Sequence, residues 1–172
     1  MDLKTEKIIS IEVLLEEQDT VDICVSDDNL FIANHILTHN SAFNSPSPGM
    51  EHVSECIEVN QLVTLRDGTV KKIGDIEFGD QVIANDGFKT VTQVHHRKIK
   101  PCYKITLKSG KEIIVSDKHK FPTKRGRMSI VDGIRTGDSL NSMVCKKKNG
   151  LNVMLKKILK TFLKGGAKTN TI

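Results

Sequence analysis

Between residues 62 and 116 apolar and polar positions alternate in short runs, and turn pairs that favour positive φ separate them. Leu62–Leu65 and Val70–Ile73 flank Arg66-Asp67-Gly68. Gln81–Ala84 and Phe88–Val94 flank Asn85-Asp86-Gly87, and Cys102–Leu107 and Glu112–Ser116 flank Ser109-Gly110. The pattern predicts three β-hairpins. Upstream, Thr20–Val25 and Leu30–Ala33 read as strands joined at Asp27-Asp28-Asn29. Ile8, Ile9, Ile11, Val13, Leu14 and Leu15 fit strand or helix, and periodicity leaves both open. One segment has a different period. Leu151, Met154, Leu155, Ile158, Leu159, Phe162 and Leu163 fall on one helical stripe, with Lys156, Lys157, Lys160 and Lys164 off it and Gly165-Gly166 as a stop. The expected fold is therefore all-β, with a short basic amphipathic helix near the C-terminus.

Two longer-range features organise these elements. Ser45-Pro46-Ser47-Pro48-Gly49 is the most linker-like stretch, because Pro fixes an extended backbone and Ser and Gly bury little. In addition, Ile73-Gly74-Asp75-Ile76-Glu77-Phe78-Gly79-Asp80-Gln81-Val82 is echoed, at a constant spacing of 58 residues, by Val131-Asp132-Gly133-Ile134-Arg135-Thr136-Gly137-Asp138-Ser139-Leu140. The shared I-x-x-G-D-x-[VL] core suggests two related halves. A common Gly-Asp turn before a strand is the blander alternative and is given less weight.

Composition narrows the function classes. The 172 residues are 38% apolar and suffice for one domain with a real core. Four cysteines (Cys24, Cys56, Cys102, Cys145) lack C-x-x-C spacing, and six histidines form no zinc pattern, so neither a disulfide scaffold nor a metal site is expected. No leader-like or membrane-spanning run stands out, and a reduced cytoplasmic setting is expected. The net charge of +5 hides a segregation: residues 1–40 carry two Lys/Arg against nine Asp/Glu, residues 56–143 sixteen against ten, and residues 144–172 eight lysines and no acid. A basic balance raises nucleic acid as a partner, but Tyr103 is the only Tyr and Trp is absent, which disfavours single-strand stacking. The acidic first forty residues offer an internal partner instead, and a monomer is expected. Docking of the basic helix on the domain is favoured over a membrane surface.

The string Leu30-Phe-Ile-Ala-Asn-His-Ile-Leu-Thr-His39-Asn40-Ser41 carries chemistry. An Asn side chain can attack its own main-chain carbonyl and cut the chain when a neighbour polarises that carbonyl and the geometry is constrained. His39 precedes Asn40, and the Ser41 hydroxyl follows as an acyl acceptor. Alone, His-Asn-Ser is usually a polar turn. It gains weight beside Thr20-Val-Asp22-Ile-Cys-Val, beside the run from Cys56 through Asp80 that opens Cys56-Ile-Glu-Val-Asn, and beside Ser116-Asp117-Lys118-His119.

Together these resemble the sequence blocks of inteins. Leu30–Ser41 and the Asp22 segment are similar to the C-terminal block, Cys56–Asp80 to the opening block with its nucleophilic Cys, and Ser116–His119 to the T-x-x-H motif with Ser for Thr. The order is exchanged, since the His-Asn block precedes the Cys block. Asn29 stands where many inteins carry a second His, and no homing-endonuclease motif is present. The resemblance implies a C-intein fragment at 1–40, an extein-derived linker at 41–55, an N-intein fragment at 56–143 and the basic tail at 144–172. It implies the Hedgehog/intein horseshoe fold with pseudo-two-fold symmetry, no cofactor, and no partner beyond its own complementary fragment and flanking extein residues.

The implied roles follow residue by residue. Cys56 attacks the Glu55 carbonyl, His119 polarises that amide and protonates the departing amine, and Ser116 orients the bond. Ser41 takes the acyl group, and Asn40 cyclises with help from His39. Asp22 either tunes a nucleophile or is a satisfied strand carboxylate. Asp117 and Lys118 read as ordinary turn residues, His95 and His96 as exposed strand residues rather than ligands, and Cys24, Cys102 and Cys145 as small buried or surface residues. The same fold as an inactive or trapped precursor is one alternative. A Hedgehog-type autoprocessing domain is another, but it has no use for His39-Asn40-Ser41.

Overall fold

The computed structural model describes residues 2–40 and 55–144. Ser41, most of the 41–55 linker, Cys145 and the expected basic helix lie outside the described residues. Within them the chain is nearly all β. The strands are β1 (Leu3–Leu14), β2 (Gln18–Val25), β3 (Leu30–Ala33), β4 (Ile36–His39), β5 (Ile57–Glu58), β6 (Leu62–Thr64), β7 (Val70–Lys72), β8 (Gln81–Ala84), β9 (Gly87–Ile99), β10 (Cys102–Leu107), β11 (Glu112–Ser116), β12 (Phe121–Thr123), β13 (Gly126–Met128) and β14 (Ser139–Met143). One 3-10 turn covers Ile73–Asp75. No described helix is long and apolar enough to cross a membrane.

Twelve strands form one antiparallel sheet in the order β7-β6-β3-β4-β14-β1-β10-β11-β5-β2-β9-β8, while β12 and β13 pair apart. A bridge between Leu65 and Val82 brings the β8 end back beside β6, so the sheet curls on itself. Its interior holds one apolar cluster that includes Ile8, Val21, Ile23, Phe31, Ile57, Val63, Ile105, Leu107, Ile113 and Phe121. The three predicted hairpins form in register at β6–β7, β8–β9 and β10–β11. The ambiguous run near the start is strand: β1 pairs β14 through its first half and β10 through its second. An isolated segment of that composition would satisfy its backbone equally well as helix, and the two flanking strands decide.

The echoed segments adopt one geometry twice. Gly79 and Gly137 sit at φ 90° and 94°, a conformation that L side chains rarely adopt. The Asp80 carboxylate accepts the Glu77 N–H at 3.0 Å, and the Asp138 carboxylate accepts the Arg135 N–H at 3.1 Å. Gly79 then donates to Val91 of β9 and Gly137 to Ile8 of β1, each at 2.9 Å, and those same two residues donate back to the Asp80 and Asp138 carbonyls at 2.8 Å. The echo is thus more than a shared Gly-Asp pair.

The acidic first forty residues are woven into the rest. β1 lies between β14 and β10, β2 between β5 and β9, and the β3–β4 hairpin between β6 and β14. Ion pairs follow the same seams: Glu6 with Lys111 at 2.6 Å, Glu12 with Lys104 at 3.1 Å, Asp19 with Lys98 at 3.7 Å, and Asp28 with Lys89.

Candidate active site

Strand register builds the site. Val21 of β2 and Val115 of β11 both pair with Ile57 of β5, which sets Asp22 and Ser116 on either side of Cys56, one position earlier. The row continues outward, because Asp22 pairs with His95 and Ser116 with Cys102. Cys56 is fully buried. Its N–H donates to Ser116 Oγ at 3.1 Å, and its carbonyl accepts the Ser116 N–H at 3.0 Å. Burial pushes the Cys56 thiol up, the nearby Asp22 carboxylate pushes it further, and a Thr20 hydroxyl contact opposes them; the outcome is about 12. The thiol is therefore protonated at neutral pH, and a nucleophilic thiolate needs a proton acceptor close by.

The turn after β11 swings His119 under the peptide that precedes Cys56. His119 Nδ1 lies 3.2 Å from the Glu55 carbonyl oxygen, and its Nε2 meets Thr38 Oγ1. A carbonyl only accepts, so Nδ1 carries the proton and Nε2 takes the Thr38 hydroxyl hydrogen. Burial pushes His119 down to about 4 against the opposing pull of Glu55, so the ring is neutral at ordinary pH. Phe121 packs edge-on against it at 5.0 Å between ring centroids. The Glu55–Cys56 peptide is consequently held at both polar atoms, its oxygen by His119 and its nitrogen by Ser116.

The His-Asn end arrives on β4. The pairing of Leu30 with His39 runs on one residue, so the Asn40 N–H donates to the Asn29 carbonyl at 3.1 Å. Asn29, with φ 57°, also accepts the Val25 N–H through its side chain at 3.3 Å. Asn40 is fully buried, with Nδ2 donating to the Ile23 carbonyl at 2.9 Å and Oδ1 without a hydrogen-bond partner among the described residues. His39 Nδ1 lies 3.3 Å from Glu55 Oε2, and Lys120 Nζ lies 3.5 Å from Oε1.

Of the residues expected from sequence, Cys56, Ser116, His119, Asp22, His39 and Asn40 thus fall in one buried region, and Ser41 lies outside the described residues. Asp22 stands beside Cys56 in the strand register, and its carboxylate raises the thiol. Cys24 and Cys102 are buried, and the Cys24 thiol donates to Gln93 Oε1 at 3.7 Å. Thr38, Thr20 and the Glu55 side chain belong to the site as well and were not anticipated. Among the described residues no His, Cys, Asp or Glu cluster is arranged to hold a metal. No family model matches the chain, and no curated protein matches it.

Proposed function

We propose that this chain is a self-splicing domain of the Hedgehog/intein type with its two fragments in exchanged order, residues 1–40 acting as the C-terminal fragment and 56–143 as the N-terminal one. The observation that carries the reading is the Glu55–Cys56 peptide, clamped at oxygen and nitrogen beside a buried thiol, with Asn40 buried in the same region. The two like turns at residues 73–82 and 131–140 favour the pseudo-two-fold horseshoe.

In this reading the Cys56 sulfur attacks the Glu55 carbonyl carbon. The C–S bond forms, the C–N bond breaks, and the thiol proton ends on the Cys56 nitrogen. Asp22 is the nearby carboxylate able to carry that proton, and the His119 Nδ1–H steadies the oxygen as negative charge develops on it. Ser41 then takes the acyl group as an ester, Asn40 closes to a succinimide and releases Ser41, and an acyl shift leaves an amide. No cofactor enters any step. Because Ser41 heads the intervening segment and Glu55 ends it, the product is residues 41–55 closed head to tail.

Intact-mass spectrometry of freshly folded full chain tests the reading. The expected products are residues 1–40 ending in a succinimide, residues 56–172 with a free Cys56, and a 41–55 peptide one water lighter than its linear form and blocked to N-terminal sequencing. Cys56→Ala should leave only a slow cut after Asn40. An intact mass that does not change with time in either the wild type or Cys56→Ala, with and without added thiol, would sink it.

A further inference from the structure

Glu55 is where the two ends of the site touch. Its main-chain oxygen takes the His119 proton at 3.2 Å, while its carboxylate reaches the other way, to His39 Nδ1 at 3.3 Å and Lys120 Nζ at 3.5 Å. That carboxylate is 3% exposed, so water does not replace these partners. His39 is therefore tied through a ring nitrogen to the residue whose main chain is the first to be cut. The Asn40 amide is engaged too, on the Ile23 carbonyl at 2.9 Å.

We propose that Glu55 is an ordering residue: its carboxylate holds the His39 imidazole until the Glu55–Cys56 peptide is broken, and so keeps the bond after Asn40 from being cut first. The inference rests on the self-splicing reading above and deepens it. Order matters because a first cut after Asn40 detaches the intended acceptor from its anchored strand before it has received the acyl group, leaving it tethered to Cys56 only through residues 41–55 and no longer held for the transfer. When the Glu55 carbonyl carbon passes from nitrogen to sulfur and onward, a side chain pinned on the opposite side cannot follow without leaving its partners. His39 is then free to polarise the Asn40 main-chain carbonyl. Asn40 Nδ2 attacks that carbon, the C–N bond to the next residue breaks, and the proton lost from Nδ2 ends on the departing amine. No outside reagent is needed.

The test uses the full chain carrying Cys56→Ala, in which the first bond cannot break and the hold is permanent. Cleavage after Asn40 is timed by intact mass with Glu55 present, with Glu55→Ala, and with Glu55→Met, which keeps length but removes the charge. Both variants are expected to cleave at least about ten-fold faster. Long-range 15N–1H spectra of the histidine rings should show the His39 Nδ1 signal moved and that of His119 still hydrogen-bonded. Unchanged cleavage in natively folded variants overturns the proposal. Slower cleavage overturns it as well, because the carboxylate would then be assisting His39. Failure of the splicing reading looks different and takes the proposal down with it: no variant is cut after Asn40, and thiols do not cut the Cys56-containing chain before Cys56.

Discussion

His119 holds a single proton, and its two neighbours assign it to the nitrogen that faces the Glu55 carbonyl. Thr38→Val keeps the side-chain shape but removes the hydroxyl, leaving Nε2 buried and unpaired. It should cost about 1–3 kcal/mol in urea denaturation and slow thiol-induced cleavage before Cys56. Asp22 makes a sharper prediction because its two effects have opposite signs. Its charge helps hold the Cys56 thiol at about 12, so Asp22→Asn should bring that value down and speed alkylation of Cys56 at pH 8. If Asp22 carries the thiol proton, the same variant cleaves before Cys56 more slowly. At this scale the sequence made the candidate residues legible and their partners illegible. Cys56, His119 and Asn40 stand in motifs, whereas Thr38 and Thr20 are common strand residues brought to the site by register with segments far away in the chain.

Among the elements, the two echoed turns share more than sequence. Each has a glycine at positive φ and an aspartate that closes the turn on a main-chain N–H. Gly79→Ala and Gly137→Ala should each cost about 1 kcal/mol or more, and by similar amounts, since open space surrounds both positions and backbone strain is the whole penalty. Denaturant midpoints with matched slopes check this. The hairpins were readable because Asp-Gly and Ser-Gly pairs mark their turns. The far end of β9 was not: the strand reading reaches His95 and His96, and the strand continues through Arg97 and Lys98 to Ile99 because β2 pairs with it as far as Gln18. The short strands β5 and β12 carry no pattern of their own, being two and three residues held by neighbours.

For the molecule as a whole, acid should act in two stages. His119 lies at about 4 against an ordinary 6.5, so the folded state binds fewer protons than the unfolded chain in that interval. Its contribution is full above pH 6.5 and is lost as pH falls toward 4. Glu6 follows lower down. Burial pushes its carboxyl up, but hydrogen bonds from Lys111, Ser109, Ser142 and Lys4 outweigh this and bring it to about 2, so its contribution is full above pH 4.5 and lost toward pH 2. Urea midpoints between pH 8 and pH 3 should fall along both limbs, and His119→Phe should flatten the upper one. The charge segregation visible in the sequence appears as the ion pairs along the seams, but the interleaving was not visible there, because composition says that two segments attract and nothing about which strand lies between which.

That interleaving decides what a cut between residues 40 and 56 would leave behind. β1 and β2 and the β3–β4 hairpin are each hydrogen-bonded on both flanks to strands that come after residue 55. A break anywhere between Asn40 and Glu55 removes a covalent link yet leaves every one of those ladders intact, so the two remnants stay laced together as a nicked whole. Native mass spectrometry should weigh them as one particle and denaturing conditions as two. If the proposed splicing occurs, a spent molecule should therefore keep its strand edges blocked, with neither piece offered to a second chain.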